Sequence, residues 1–355
     1  MIDALVARGE IGGKTVQVVD TGGVECAVYP VPRPRPGQVL VSSVRTAISP
    51  GTEMTFYGRA TTNVYLHKRW DPELRLFRPG SPTLGYPLTF GYRASGEVVE
   101  SLADGIAAGT RVFGTWRHTE YTLLDGSVAA ASILPDGLSH DDGVDIGQMG
   151  PICLNAVAHA EGAHEARAVV VFGAGPIGLI TAQLARATGA GEVYVVDRLP
   201  SRLAIAESLG LGAVAAGGDA DVAYELKRRL GADAIPVAFE CTGSPAALNE
   251  AIRTVARRGL VVAVGFYQGE ARGLVLGDEF HHNAVRLVCS QIGSVHPAWN
   301  LARLRQETIT FALSGRLALG GLPRLTLPVE RAADGFVALQ RPDQLLQVAL
   351  SYGTT

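Results

Sequence analysis

The run Val169-Val170-Val171-Phe172-Gly173-Ala174-Gly175-Pro176-Ile177-Gly178-Leu179 constrains this chain more than any other stretch. A short apolar segment ends in a Gly-x-Gly-x-x-Gly turn, and apolar residues then recur with helical spacing from Ile180 to Thr188. About twenty-four residues after the first glycine, Val193-Tyr194-Val195-Val196-Asp197 reads as a second buried strand that ends in an acid. Strand, glycine turn, helix, strand and acid, in that order, are the parts of a dinucleotide-binding unit. The glycines let the backbone approach a pyrophosphate, whose charge meets the N-terminus of the helix. A glycine turn that binds nothing needs none of that context. Gly173, Gly175, Pro176, Ile177 and Gly178 are therefore the expected cofactor cradle.

Beyond Asp197 the pattern keeps alternating. Helical spacing at 201–209 and 221–230 separates a weak strand at 213–216 from a buried one at 235–240. Further buried strands follow at 260–265 and 285–289, which gives a six-strand parallel alternation, an α/β doubly wound sheet. Thr242 and Gly243, with Val264, Gly265 and Phe266, fall just past strand ends, where the rest of a dinucleotide would lie. Asp197 is placed to accept from ribose hydroxyls and to repel a 2′-phosphate, which favours NAD(H). Arg198 and Arg202 could instead accept that phosphate, so NADP(H) stays open.

The first part of the chain has a different style. Alternation at 14–19, 25–30 and 38–44, with proline turns between, predicts short strands of a small barrel-like domain. Ser49-Pro50-Gly51-Thr52-Glu53 breaks the pattern as a turn or helix start. Residues 60–89 read as an irregular polar and aromatic connection. Strand patterns return at 95–100, 110–114 and 120–124. The expected division is 1–150 for the first part of this domain and 151–292 for the nucleotide-binding domain. Residues 293–355, with a helix near 301–313, are expected to return to the first domain.

Of 355 residues, 47% are hydrophobic and 18% charged, with a net charge of -3, which leaves no electrostatic footprint for nucleic acid. No apolar run is long enough to span a membrane. The opening Met1-Ile2-Asp3-Ala4-Leu5 lacks the basic-then-apolar pattern of a signal peptide, so a cytoplasmic protein is expected. Cys26, Cys153, Cys241 and Cys289 are scattered without a Cys-x-x-Cys pair, which predicts reduced thiols and no cysteine-built metal site.

A β-rich first domain, a Rossmann domain starting mid-chain and a C-terminal return together resemble the medium-chain dehydrogenase/reductase superfamily, its alcohol and polyol dehydrogenase branch in particular. The likeness covers nearly the whole chain and implies a GroES-like first domain, a homodimer paired near 286–293, and hydride transfer with a nicotinamide. Ile48-Ser49-Pro50-Gly51-Thr52-Glu53 resembles the segment that carries the first zinc-binding cysteine. Phe90-Gly91-Tyr92-Arg93 resembles the Gly-His-Glu segment, and Gly150-Pro151-Ile152-Cys153 the segment of the third ligand. Ser49, Tyr92, Arg93 and Gly150 thus stand where zinc members carry ligands, and the four-cysteine lobe is missing. Zinc needs imidazole, thiolate or carboxylate, so a zinc-independent member is expected, with no metal ligands. The Ser-x-Gly-Thr-Glu motif is similar to the subgroup that includes bacteriochlorophyllide hydroxyethyl dehydrogenase.

Without zinc, hydrogen-bond donors must meet the developing oxyanion. Tyr92 is the first candidate for acid/base work, Glu53 the second, and Ser49 lies beside them. Arg93, by pairing with Glu53 or anchoring an acidic group, and Tyr57, His67, Trp70, Trp116 and His118 are candidate substrate contacts. Each also has an ordinary reading as ion pair, packing or solvated loop. The expected function is alcohol/ketone interconversion on a small organic substrate of a specialised pathway. Reduction of a C=N or activated C=C bond remains an alternative. So does a dinucleotide sensor that has kept the fold and lost the chemistry.

Overall fold

The computed structural model describes residues 12–353 apart from 21, 59–62, 161–166, 219 and 344. The opening Met1–Leu5 and the start of the 60–89 connection lie outside the described residues. The chain divides into two compact units, Met1–Gln148 with Pro323–Thr355, and Met149–Leu322. Among the described residues no helix is long and apolar enough to cross a membrane.

The first unit opens with a hairpin of β1 (Gly13–Val18) and β2 (Val24–Tyr29), whose turn is closed by Asp20 accepting from the Gly22 and Gly23 amides. The long strand β3 (Gln38–Ile48) carries the unit. The connection expected to be irregular holds a small hairpin, β4 (Arg69–Asp71) and β5 (Leu76–Arg78), with Trp70 opposite Phe77. Then come β6 (Ala94–Ser101), β7 (Arg111–Gly114) and β8 (Tyr121–Asp125). β3 pairs with β6 along one edge and, over 38–42, with β8 on the other. Register shifts at Leu40/Val41 and Ser43/Arg45 bend β3, as bulges do, and leave its second half for a C-terminal partner. Val39, Val41, Val98 and Val112 fill one of the unit's cores. The helix His140–Ile146 starts on a capping box between Ser139 and Asp142, which satisfies its first amides.

The second unit is a six-stranded sheet of β9 (Ala168–Phe172), β10 (Glu192–Asp197), β11 (Gly212–Ala215), β12 (Val237–Glu240), β13 (Leu260–Ala263) and β14 (Arg286–Cys289). The order is β11-β10-β9-β12-β13-β14 and every pairing is parallel, as the alternation predicts. β9, β12 and β13 are buried at every residue, which is why they read as unbroken apolar runs rather than alternating ones. Strand order reverses between β9 and β12, the switch point at which open α/β sheets bind ligands.

One expected boundary moves. The return to the first unit falls at Pro323, not 293. The helix Leu301–Leu313 packs on the helix Met149–His159, where Thr308 sits over Gly150 at a distance that leaves no room for a side chain. Only then do β15 (Leu325–Pro328) and β16 (Val348–Ser351) rejoin the first unit. β16 pairs with β3 over 45–48 and completes the order β15-β16-β3-β6-β7.

Candidate functional site

In the second unit, β9 runs apolar to Phe172 and turns at Gly173, whose φ is 101°. Its amide donates to Val196 O at 2.7 Å, which ties the turn to β10. The helix Pro176–Ala187 starts with proline, whose missing N–H is one the first turn would leave unpaired anyway. Gly178 is obligatory, because a Cβ there would stand 1.7 Å from Gly173 O. At Gly175 a Cβ would meet only Arg202 Nη1, at 3.8 Å, so the helix N-terminus is open to an anion.

Asp197 both shapes this turn and faces it. Its Oδ2 accepts from the Ala174 amide at 2.7 Å and its Oδ1 from Leu199 at 2.9 Å, while a lone pair on each oxygen is left for a ligand. Arg202 is half-buried, and its Nε has no hydrogen-bond partner. Burial pushes its guanidinium below the ordinary range and the Asp197 charge opposes that. Arg198 is exposed.

Thr242, Gly243, Val264, Gly265 and Phe266 come together past β12 and β13. Gly243 and Gly265 lie back to back, since a Cβ on Gly265 would stand 2.2 Å from Gly243 N. Glu240, fully buried at the end of β12, fastens both loops. Its Oε1 accepts from Thr242 N at 2.8 Å and from the Thr242 hydroxyl; its Oε2 accepts from Gly243 N at 3.1 Å and from the Tyr267 hydroxyl. Burial pushes the Glu240 carboxyl above the usual range, and these donors hold it back. Neither Glu240 nor Tyr267 is among the residues that the sequence pattern points to. The available signal is a carboxylate ending an otherwise apolar buried strand.

In the first unit, Ser49 follows β3 and starts a turn in which Glu53 N donates to Ser49 O at 3.0 Å. A 3₁₀ turn, Glu53–Phe56, follows. Ser49 Oγ accepts from Thr52 N at 3.3 Å and from the Tyr92 hydroxyl. Burial first, and the nearby Glu53 charge second, push the Tyr92 phenol above its ordinary value, so it keeps its proton at neutral pH and acts as a donor. Glu53 is 1% exposed. Its Oε2 lies 2.8 Å from His118 Nε2, and His118 Nδ1 lies 2.7 Å from Thr46 Oγ1. Thr46 Oγ1 is in turn 3.0 Å from the Tyr352 hydroxyl. Glu53 Oε1 is buried and has no hydrogen-bond partner.

Several expected substrate contacts are corrected by this arrangement. Arg93 is fully buried and pairs not with Glu53 but with Asp145, through Nε at 3.0 Å and through Nη2; it also donates to Gln347 Oε1 at 2.8 Å and to Ile48 O at 3.2 Å. Four of its five N–H donors are spent and the side chain is closed to solvent, so it clamps the two segments that carry Ser49 and Tyr92. His118 lines no open pocket; it is fully buried behind Glu53. Trp116 spends its indole N–H on Ser43 Oγ at 2.9 Å, while its ring still lines a pocket with Gln17, Tyr29 and Arg117. Tyr57 packs edge-on against Phe336. Trp70 packs on Phe77 in the small hairpin, and exposed His67 ends the short turn before it. The structure thus gathers Ser49, Glu53, Tyr92 and His118 around one turn, leaves Tyr57 and Trp70 in other packing, and leaves His67 exposed.

A parallel sheet with a glycine turn of the dinucleotide-binding kind is joined in one chain to a bent antiparallel unit, and comparison with known proteins finds the same architecture among dehydrogenases. A family model described as zinc-binding dehydrogenase matches residues 176–304. The (R,R)-butanediol dehydrogenase of Bacillus subtilis is 31% identical over 229 residues, 56% of this chain and 62% of that protein, so the match spans less than two thirds of the relative. The D-guloside 3-dehydrogenase of Shigella flexneri is 26% identical over 323 residues, 85% of this chain and 89% of that one. Among solved structures, 2R,3R-butanediol dehydrogenase from Bacillus subtilis has a TM-score of 0.76 at 22% identity, covering 96% of this chain and 100% of that one. Residues 176–304 are thus similar to the zinc-binding dehydrogenase family, and the chain over most of its length is similar to dehydrogenases of the medium-chain dehydrogenase/reductase kind.

The zinc named in that family description does not fit the residues present here. Ser49 and Tyr92 are hydroxyls bonded to each other, and Arg93 is a cation spent on Asp145. At Gly150 any side chain would collide with the Thr308 methyl, 2.3 Å from where a Cβ would stand. Among the described residues, no three His, Cys, Asp or Glu side chains are grouped to hold a metal ion.

Proposed function

We propose that this chain is an oxidoreductase that moves hydride between a nicotinamide dinucleotide and a small organic substrate, by alcohol/ketone interconversion and without zinc. One observation carries this reading: the chain has both a complete dinucleotide turn, from Gly173 to Asp197, and a buried hydroxyl–carboxylate cluster at the positions where zinc relatives hold their metal.

A bound nicotinamide would supply or take the hydride. The helix N-terminus past Gly175 would hold the pyrophosphate, and Gly243, Gly265 and their neighbours the remainder. The free lone pairs of Asp197 suit ribose hydroxyls, and its charge opposes a 2′-phosphate, which supports NAD(H) over NADP(H). In the first unit the acceptor positions of Ser49 Oγ are taken by Tyr92 and Thr52, so the hydrogen of Ser49 is what this pair offers a substrate oxygen. Tyr92 polarises that hydroxyl. A donor so placed stabilises a developing oxyanion, and removing one such donor typically costs about 10²–10³ in rate.

Titration with NADH and NADPH, followed by metal analysis of the same sample, tests this reading. It expects NADH to bind more tightly and zinc to be far below one per chain. Stoichiometric zinc would sink the metal-free chemistry, and a chain that binds neither nucleotide is not an oxidoreductase of this kind. Binding without turnover on any alcohol would favour the sensor.

A homodimer through β14 belongs to the same proposal. That strand ends the sheet, pairs only with β13 among the described residues, and leaves Leu287 41% exposed. Light scattering that gives a monomer at micromolar concentration would reject it.

A further inference from the structure

We propose that Glu53 is the base for the reacting hydroxyl, through its Oε1, and that His118, Thr46 and Tyr352 are positioning residues that aim it. The proposal rests on the alcohol–ketone reading above and supplies the proton acceptor that reading lacks. Tyr92 cannot fill the role at neutral pH, because burial and the facing Glu53 charge keep its proton on. Ser49 is occupied as the acceptor of Tyr92 and Thr52. Glu53 has the remaining capacity: one oxygen fixed by His118, the other buried and without a partner. Buried polar atoms are nearly always paired, so an orphaned carboxylate oxygen points to a ligand that donates a hydrogen bond.

With one hydrogen on His118, carried on Nε2, the series behind Glu53 runs in one direction. Tyr352 O–H donates to Thr46 Oγ1, Thr46 O–H donates to His118 Nδ1, and His118 Nε2–H donates to Glu53 Oε2. The tautomer with its hydrogen on Nε2 satisfies every atom. All four side chains are buried, and Tyr352 at the far end is 8% exposed, so the series gives a proton no route to solvent. Its effect is to hold Oε2 and leave Oε1 as the acceptor. In the oxidation direction the substrate O–H bond breaks and its proton bonds to Oε1. The electron pair left on oxygen would form the carbonyl, and an oxidised nicotinamide, when bound, would supply the acceptor for the hydride leaving the carbon. Glu53 becomes the neutral acid and returns the proton in the reverse direction.

The test uses the full chain. In Glu53→Ala, NADH affinity stays at the wild-type value and alcohol oxidation falls about 10²- to 10⁴-fold. Added formate restores about tenfold of that loss, because a free carboxylate can enter the emptied position. His118→Leu lowers kcat by about tenfold with KM unchanged, since the aim of Oε1 is lost rather than substrate binding. His118→Gln, whose amide can still donate to Oε2, recovers part of that loss. Melting provides a readout that needs no turnover. Glu53→Gln should unfold close to the wild-type temperature, because the amide oxygen keeps the bond from His118. Full kcat in Glu53→Gln, or no effect of formate on Glu53→Ala, overturns the base. A Glu53→Gln chain that melts several degrees lower shows Glu53 to be a structural strut and overturns the assignment of Oε1 to a ligand. A wild-type chain that binds NADH, turns over no alcohol and shows the expected melting would instead fail the function proposed above.

Discussion

The residues that form the dinucleotide turn between Gly173 and Asp197 lie in one strand–helix–strand stretch, and most of its bonds involve the backbone. The cluster around Glu53 draws on Thr46, Ser49, Tyr92, His118 and Tyr352, and every bond from Glu53 back to Tyr352 joins side chains far apart in sequence. The turn is a matter of room for the main chain, settled by glycines. The cluster is a matter of buried polar groups, settled by partners that strands β3, β6 and β16 bring together. The two regions should therefore fail in different ways: the turn by steric collision, the cluster by loss of a partner in a dry interior.

The largest effect expected is on the clamp beneath the cluster. Asp145→Leu strands Arg93 as a buried unpaired cation and should cost about 3–5 kcal/mol in urea unfolding of the first unit. Replacing both partners, Arg93→Met with Asp145→Leu, should recover most of that. If the single and double variants are equally unstable, the cluster is not organised by pairing and the contrast with the turn breaks. Next comes Gly178→Ala. With its Cβ 1.7 Å from Gly173 O, the turn must shift, and fluorescence titration should show NADH affinity about 100-fold weaker with the first unit's melting unchanged.

Tyr267→Phe sharpens the comparison, because it removes a side-chain bond from the nucleotide-binding unit. The Glu240 latch loses one donor, and NADH affinity should weaken by about five-fold, the worth of roughly 1 kcal/mol. An effect as large as that of Gly178→Ala would mean that side chains, not backbone room, control that unit too. The smallest effect is a pH dependence in the first unit. Burial holds the His140 imidazole below its ordinary value near 6.5, with Ser95 Oγ 2.8 Å from Nδ1. The neutral form is therefore favoured in the folded state. Its contribution is full above 6.5 and is lost as pH falls through the folded value. Melting of the wild type should drop between pH 7 and 5 by about 1–3 °C more than that of His140→Gln.

The same contrast explains which features are legible in the amino-acid sequence. β9, β10, β12 and β13 announce themselves as apolar runs because parallel strands are buried on both faces, and the glycines are fixed by geometry within a few residues of one another. Tyr92, Ser49 and Glu53 stand out because their neighbours resemble a familiar set of segments. The partner of Arg93 cannot be read that way. Glu53 is a plausible mate by resemblance, but Asp145 reaches Arg93 from a helix 52 residues further on. His118 has the sequence setting of a pocket histidine, since residues near the start of a strand often line one; burial against Thr46 and Glu53 is a property of packing alone. The return to the first unit falls later than the sequence pattern suggests, because helical spacing at 301–313 does not say which core its apolar face covers.

Backbone sterics and short-range periodicity are enough to specify the doubly wound sheet, its glycine turn and the acid at its second strand end, and all three are written in consecutive residues. Which hydroxyl meets which carboxylate depends instead on the folded chain. A bent β3, a C-terminal strand and a buried arginine clamp bring Thr46, Glu53, His118 and Tyr352 within hydrogen-bond distance, and a buried polar group takes whatever partner the fold places beside it.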